Sequence, residues 1–240
     1  MKIIISPAKV QNGQHNFNNE MKSVIFNDKT QKLNAYLKDY CKNDIAKLMK
    51  IKNKLLDNTY EMIHCDLPKK HAINLYNGIV YKEINTNLYD EMQLEYMNDH
   101  LRILSAMYGI LEPLTGIRPY RLDMTMKPNQ LNLYDFWKSD ITDYFSDQLI
   151  INLASVEYSK LIKLPMINIH FKERINDVYK IVTVRAKKAR GLMVDYLITH
   201  MVSDLEDIKA FSEAGYQFNE DLSDDKNFVF TIEEEYYGLL

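Results

Sequence analysis

Three isoleucines in succession, Ile3 to Ile5, end abruptly at Ser6-Pro7, and this junction constrains the fold more than any other segment of the chain. A short all-apolar run reads as a buried strand, and proline has no N–H to give to a central ladder, so the strand must stop there and hand over to a loop. That loop, Ser6-Pro7-Ala8-Lys9, sets a hydroxyl and an ammonium just past a strand end, the place where α/β folds usually put their chemistry. The pattern returns twice. Leu101 to Leu104 runs into a loop holding Gly109, Pro113, Gly116 and Pro119, and Ile150 to Leu153 feeds Ala154-Ser155-Val156-Glu157-Tyr158.

Helical spacing fills the intervals. From Lys29 to about Ile63 the apolar positions Leu33, Leu37, Ile45, Leu48, Met49, Leu55, Leu56 and Tyr60 recur without proline or glycine, and Asn43 or Asp44 is placed to cap or separate two helices there. Residues 10 to 28, polar and Asn-rich, read as a surface excursion. Leu88 to His100, Leu133 to Leu149 and Lys187 to Met201 read as further helices. Met166 to Phe171 and Val178 to Val184 flank Asn176-Asp177 as a hairpin, and Tyr216 to Phe218 faces Phe228 to Ile232 as a terminal one. Ser203 and Glu206 have capping-box spacing for a short helix. The order of elements predicts an α/β chain with α+β character: a mixed sheet with surrounding helices, in one unit over residues 1–240.

A chain of 240 residues that is 46% hydrophobic buries a substantial core without staples. Cys41 and Cys65 fit no zinc or CxxC spacing and read as small buried hydrophobes in a reducing compartment. The apolar run at Ile3 is too short for a signal peptide, and no later run approaches the roughly 20 apolar residues of a spanning helix, so cytoplasm and no membrane are expected. Net charge is −3, which argues against a generally basic nucleic-acid binder. The average hides an asymmetry: residues 204 to 235 hold eleven acids against two lysines, leaving the rest of the chain at +6. Such a body can hold a positive cleft, although a solvated acidic surface is the commoner meaning of the run.

Four segments besides Ser6 to Lys9 combine residues unusually, and each has a plainer alternative. Tyr76-Asn77-Gly78-Ile79-Val80-Tyr81 can line a pocket with rings, or form the edge of a core. The loop reaching Arg118-Pro119-Tyr120-Arg121-Leu122-Asp123-Met124 carries two arginines on a stiffened path, as binding loops do. Asn152, Ser155, Glu157 and Tyr158 offer an amide, a hydroxyl, a carboxylate and a phenol at one strand end. Glu157 there is either an acid or base, or a first-turn helix residue behind a Ser155 cap. Arg185-Ala186-Lys187-Lys188-Ala189-Arg190-Gly191 gathers four cations near the positive end of a helix dipole, where an anionic partner would explain them. Glu61 and His64 share a helix face without a third ligand, so no metal site is called, and no cofactor either. The P-loop, dinucleotide, GxSxG and HExxH motifs do not occur.

Taken in order, these segments resemble the YaaA family of bacterial peroxide-stress proteins. The resemblance rests on Ser-Pro-Ala-Lys at 6 to 9, Tyr-x-Gly-x-Val-Tyr at 76 to 81, Leu-Arg-Ile-Leu-Ser through Pro-Tyr-Arg-Leu-Asp-Met at 101 to 124, Leu-Tyr-Asp-Phe-Trp at 133 to 137, Asn-Leu-Ala-Ser-x-Glu-Tyr at 152 to 158 and Ala-Lys-Lys-Ala-Arg-Gly-Leu-Met at 186 to 193. It implies a cytosolic protein that helps cells survive hydrogen peroxide by keeping unincorporated iron low, which limits oxidative damage to DNA and protein. It also implies an unusual mixed α/β fold with a cationic cleft, binding of double-stranded DNA, and a helix-hairpin-helix-like element near Asp44 to Ile63. That stretch contains no glycine, where such hairpins ordinarily use one to bring backbone amides against phosphate.

Two functional expectations follow. In one, Lys9, Arg118, Arg121, Lys187, Lys188 and Arg190, with Ser6 and Tyr120 beside them, line a cleft that grips duplex phosphates without reading bases. In the other, the chain is an enzyme for a small anionic or nucleotide-like substrate. There Lys9 or Lys187 orients the anion, while Glu157 does acid or base chemistry with Asn152, Ser155 and Tyr158 nearby. A carboxylate at a phosphate-gripping surface is repulsive, which favours a pocket, with DNA as a second partner of the same groove. Direct iron sequestration has little support, because six scattered histidines and two distant cysteines make no recognisable ligand set.

Overall fold

The computed structural model describes residues 1–13 and 17–233. Residues 14–16 of the expected surface excursion, and residues 234–240 with the last two acids of the acidic run, lie outside the described residues. In chain order, β1 (Lys2–Ile5) is followed by α1 (Asn27–Lys38), α2 (Lys42–Met49) and α3 (Asn53–His64). Next come β2 (Lys70–His71), the one-turn helices α4 (Ala72–Leu75) and α5 (Ile79–Lys82), α6 (Glu91–His100), β3 (Leu101–Ser105), β4 (Gly109–Leu111) and β5 (Gly116–Ile117). The second half holds α7 (Leu133–Tyr144), β6 (Ile150–Asn152), α8 (Val156–Ser159), β7 (Ile167–Ile175), β8 (Val178–Lys180), α9 (Thr183–Thr199), α10 (Leu205–Lys209), β9 (Gln217–Phe218) and β10 (Asn227–Ile232).

The main sheet runs β4-β3-β1-β6-β7-β10-β9, and β8 pairs with the far end of β7. Strands β3, β1, β6, β7 and β10 are mutually parallel, whereas β4, β8 and β9 join antiparallel, so the sheet is mixed. Ile3 lies opposite both Leu101 and Ile151, which makes β1 the strand between the first two crossovers. Ile3, Ile4 and Ile5 are all fully buried: successive side chains point to opposite faces, so both faces of the sheet are covered at β1. The chain leaves β1 for β3 on one flank and then returns past β1 to β6 on the other. Parallel neighbours reached in opposite directions leave a crevice at their carboxyl ends, the usual ligand position in open α/β sheets.

Helices pack where their apolar spacing directs. Leu133, Trp137 and Ile141 recur every fourth residue, are buried, and seat α7 on the sheet, with Trp137 Nε1 donating to Ala106 O at 2.9 Å. The helix stops at Tyr144, before the expected Leu149, and Asp147 takes a left-handed φ of 61°. Where one break was expected near Asn43, there are two. Cys41 is the N-cap of α2 with Asp44 completing the box, and Lys50 turns left-handed (φ 53°) between α2 and α3. The hairpin at Asn176-Asp177 forms with both residues at positive φ, but its second strand ends at Lys180 and α9 begins four residues before Lys187. Asp204, accepting from Glu206 N at 2.8 Å, caps α10 in place of Ser203. In the tyrosine-rich segment at 76–81 the helical turn α5 begins only after Gly78, and both tyrosines are buried in the core. Both cysteines are exposed and free, not buried as expected: Cys41 caps an exposed helix start and Cys65 ends one.

Candidate functional site

The loop after β1 and the turn after β6 meet at the carboxyl edge of the sheet. Ser155 N donates to Ser6 Oγ at 2.8 Å, and Ser6 Oγ in turn donates to Ser155 Oγ at 3.1 Å. The two serines therefore tie adjacent strand ends together. Ser155 does occupy the N-cap position of α8 with Glu157 in the first turn, but its hydroxyl makes no capping bond. Tyr81 OH donates to Ser6 O at 2.8 Å and brings α5 onto the same loop. Two glycines allow that approach. A Cβ on Gly78 would sit 2.8 Å from Ala8 Cβ, and one on Gly191 would sit 2.3 Å from Val80 O. The second contact lays α9 directly on α5, which swings the cationic stretch of α9 over the strand ends.

Between these elements lies a cavity of about 490 Å³. Ser6, Lys9, Tyr120, Arg121, Ser155, Glu157, Tyr158, Lys187 and Arg190, all singled out in the sequence, line it. Lys187 and Arg190 reach it together because an i, i+3 spacing puts them on one face of α9. The Nε atoms of Arg121 and Arg190 are buried and find no hydrogen-bond partner among the described residues. Burial holds the Arg190 pKa below the ordinary guanidinium value. A desolvated guanidinium without an acceptor is costly, and an anion in the cavity would relieve the cost.

Aromatic walls complete the cavity. Tyr120 OH shares hydrogen bonds of 2.8 Å with both Tyr76 OH and Ser105 Oγ. Burial raises the Tyr81, Tyr120 and Tyr158 hydroxyls well above the ordinary tyrosine value, so they remain protonated donors at physiological pH. The Tyr158 hydroxyl has no hydrogen-bond partner among the described residues, and Glu157 Oε1 accepts from Met124 N at 3.3 Å. Lys9 Nζ pairs with Asp123 Oδ2 at 2.8 Å at the rim, so its charge is already answered.

Three residues of the expected cleft are placed elsewhere. Asn152 braces β6, donating to Asn168 Oδ1 at 2.8 Å and accepting from Ala154 N at 2.9 Å, and does not line the cavity. Arg118 does not line this cavity, donating instead to Leu67 O at 2.8 Å and pairing with Asp66 Oδ1 at 2.5 Å. Lys188 lies one position off the Lys187 and Arg190 face. Gln11 was not singled out, yet its Oε1 accepts from Tyr120 N at 2.8 Å and its side chain lines the cavity. Nothing in a polar, Asn-rich stretch marks it. Asp123 was legible only as part of the loop that carries the two arginines.

The remaining weak signals resolve structurally. His64 stacks on Tyr60 with ring centroids 3.9 Å apart and meets Tyr60 O and Lys38 O. Among the described residues no group of three or more His, Cys, Asp or Glu is placed to hold a metal ion, and no helix is long and apolar enough to cross a membrane.

Comparison with known proteins gives one consistent result. The family model described as "Peroxide stress protein YaaA" matches residues 1–222. A UPF0246 protein of Fusobacterium nucleatum is 43% identical, over 96% of this chain and 98% of its own length. UPF0246 proteins of Clostridium botulinum and Francisella tularensis are 36% and 38% identical, over 97% and 96% of this chain and the whole of theirs.

Proposed function

The chain belongs to the peroxide stress protein YaaA family, and from that premise we propose that it acts in peroxide defence by binding a small anionic ligand in the cavity at the carboxyl edge of the sheet. The observation that carries this reading is the pair of buried, unpartnered guanidinium Nε atoms of Arg121 and Arg190 within one cavity. Its volume falls within the ~300–1,000 Å³ typical of small-molecule sites. The unpartnered Nε atoms are buried, so the cavity suits a small ligand better than the phosphates of a duplex backbone. Tyr158 and Glu157 supply a protonated donor and a carboxylate beside the anion, the equipment for acid or base chemistry. The cellular outcome of this activity is a lowered level of unincorporated iron, with DNA and protein spared oxidation as a result.

DNA contact is a second reading with its own support. Helices α2 and α3 are joined by the left-handed Lys50 (φ 53°), and this reading takes the pair as the helix-hairpin-helix-like element, with a lysine in the turn that glycine ordinarily makes. Lys47, Lys50, Lys52 and Lys54 are exposed around that turn and suit duplex phosphates.

The test is complementation of a deletion strain, scoring peroxide survival and chelatable iron. Native chain restores both, Arg121→Met/Arg190→Met restores neither, and Lys50→Glu/Lys52→Glu loses only duplex binding measured in vitro. Full protection by the double arginine variant would exclude the cavity from the function.

A further inference from the structure

The charges and walls of the cavity narrow the class of its ligand, an argument that rests on the small-anion reading above. Lys9 and Asp123 neutralise each other at the rim. That leaves Arg121, Arg190 and Lys187 facing a single carboxylate, Glu157. The lining therefore carries a surplus of two positive charges. A dianion balances it; a carboxylate monoanion or a zwitterion leaves charge uncompensated, and a triphosphate overshoots.

Glu157 adds a second requirement. Its Oε1 takes only a long bond from Met124 N, and Oε2 has no partner among the described residues. A carboxylate so placed among cations repels a bare anion unless the ligand also presents N–H donors to it. The backbone of α8 is tied at this residue, since Tyr134 OH donates to the Glu157 carbonyl at 2.9 Å. The walls add a third requirement. Tyr81, Tyr120 and Tyr158, with Ile79, Leu122 and Leu153, offer flat apolar surface, which suits a planar ring rather than a polyol.

We infer that the ligand is a nucleoside monophosphate, its phosphate held by Arg121, Arg190 and Lys187, its base lying against the tyrosines, and its ring or exocyclic N–H donating to Glu157. Each part answers a different observation: the dianion meets the surplus charge, the heterocycle meets the apolar walls, and the N–H meets the free carboxylate oxygen. A sugar phosphate satisfies only the first. Guanine alone sets two N–H donors side by side, N1–H and an amino N–H, to meet both oxygens of a carboxylate, so GMP is preferred; adenine and cytosine offer an amino group beside an accepting ring nitrogen, and uracil a single ring N–H between two carbonyls.

Calorimetric titration of the native full chain tests this with inorganic phosphate, ribose 5-phosphate and the four ribonucleoside monophosphates. The expected result is that at least one amino-bearing monophosphate binds tenfold or more tighter than ribose 5-phosphate. Glu157→Gln weakens that nucleotide at least fivefold while leaving inorganic phosphate unchanged or tighter. Arg190→Met weakens every phosphate at least tenfold, with circular dichroism and the thermal midpoint as controls on folding. If ribose 5-phosphate equals the nucleotides, or Glu157→Gln leaves nucleotide affinity intact, the ligand class is wrong although the anion site stands. If no phosphate compound binds the native chain, the small-anion reading falls with it. Binding only by 5′-phosphorylated oligonucleotides would assign the cavity to a nucleic-acid end and overturn the mononucleotide.

Discussion

The two edges of the parallel sheet treat buried arginine in opposite ways. At the amino edge, Arg102 is 4% exposed and nearly saturated. Its Nε bonds Tyr144 OH, its Nη1 donates to Asn98 O and Leu101 O at 2.7 Å each, and its Nη2 pairs with Glu112 Oε1 at 3.3 Å. Glu112 is further held by Lys22 at 3.0 Å, and Lys2 Nζ donates to Asp99 O at 2.5 Å. At the carboxyl edge, Arg121 and Arg190 keep a buried Nε without any acceptor among the described residues. The contrast also runs along one helix, since Arg185 of α9 pairs with the buried Glu173 at 2.7 Å while Arg190, five residues on, finds no carboxylate among the described residues. Arginines that serve the fold are completed by the fold; under the proposed function, those left incomplete in the cavity are completed by its ligand.

The sharpest way to break this comparison is to make one substitution at both edges. Arg102→Met should cost about 3 kcal/mol in urea denaturation, because two backbone carbonyls and a tyrosine hydroxyl lose their donor in the interior. Arg190→Met should leave stability within about 1 kcal/mol of native, or raise it, since it removes a desolvated charge whose Nε no described residue answers. Equal losses at both sites would end the distinction. A middle effect is expected from Gly191→Ala. Its Cβ would meet the Val80 carbonyl oxygen, so α9 and α5 must part, at about 2 kcal/mol of stability. Anion affinity should fall with it, because the same contact seats Arg190 over the strand ends, and an unaltered thermal midpoint would show that the contact is slack.

The smallest effect is a dependence on pH at the amino edge. His100 Nδ1 meets Met1 O at 2.9 Å, and burial, opposed by that bond and by Asp99 and aided by the charges of the amino terminus and Lys2, holds its pKa below the ordinary histidine value. The unfolded chain then takes up the proton first as pH falls. The stability this histidine contributes is complete above about pH 6.5 and is lost as pH drops through the lower folded value. The urea midpoint should decline between about pH 7.5 and about pH 5.5, and decline less in His100→Asn. Equal declines would place the acid sensitivity elsewhere, for example at His71, whose pKa burial also lowers.

Much of this arrangement was legible in the residues. Ile3 to Ile5 before Ser6-Pro7 marked β1 and the loop beside the cavity, and the runs at Leu101 and Ile150 marked its two parallel neighbours. The spacing of Lys187 and Arg190 was readable as one helix face only once the helix start was known, and the sequence placed that start four residues late. Arg118 and Arg121 looked equivalent in a single loop; only the fold brought Asp66 and the Leu67 carbonyl to Arg118 and left Arg121 lining the cavity. Asn152 looked like part of the site because it ends a strand, but a neighbouring strand supplied Asn168, and the pair closed on itself.

By itself the sequence determined where strands end and which segments carry charge, since runs of apolar residues and the missing N–H of proline are local facts that no distant contact overrides. The tertiary structure alone decided which charges remain unanswered. Partnering is a property of approach in space: Lys9 met Asp123, Arg185 met Glu173, and Arg102 met four acceptors, while the close seat of Gly191 on Val80 carried Arg190 to a cavity where, among the described residues, its Nε finds none.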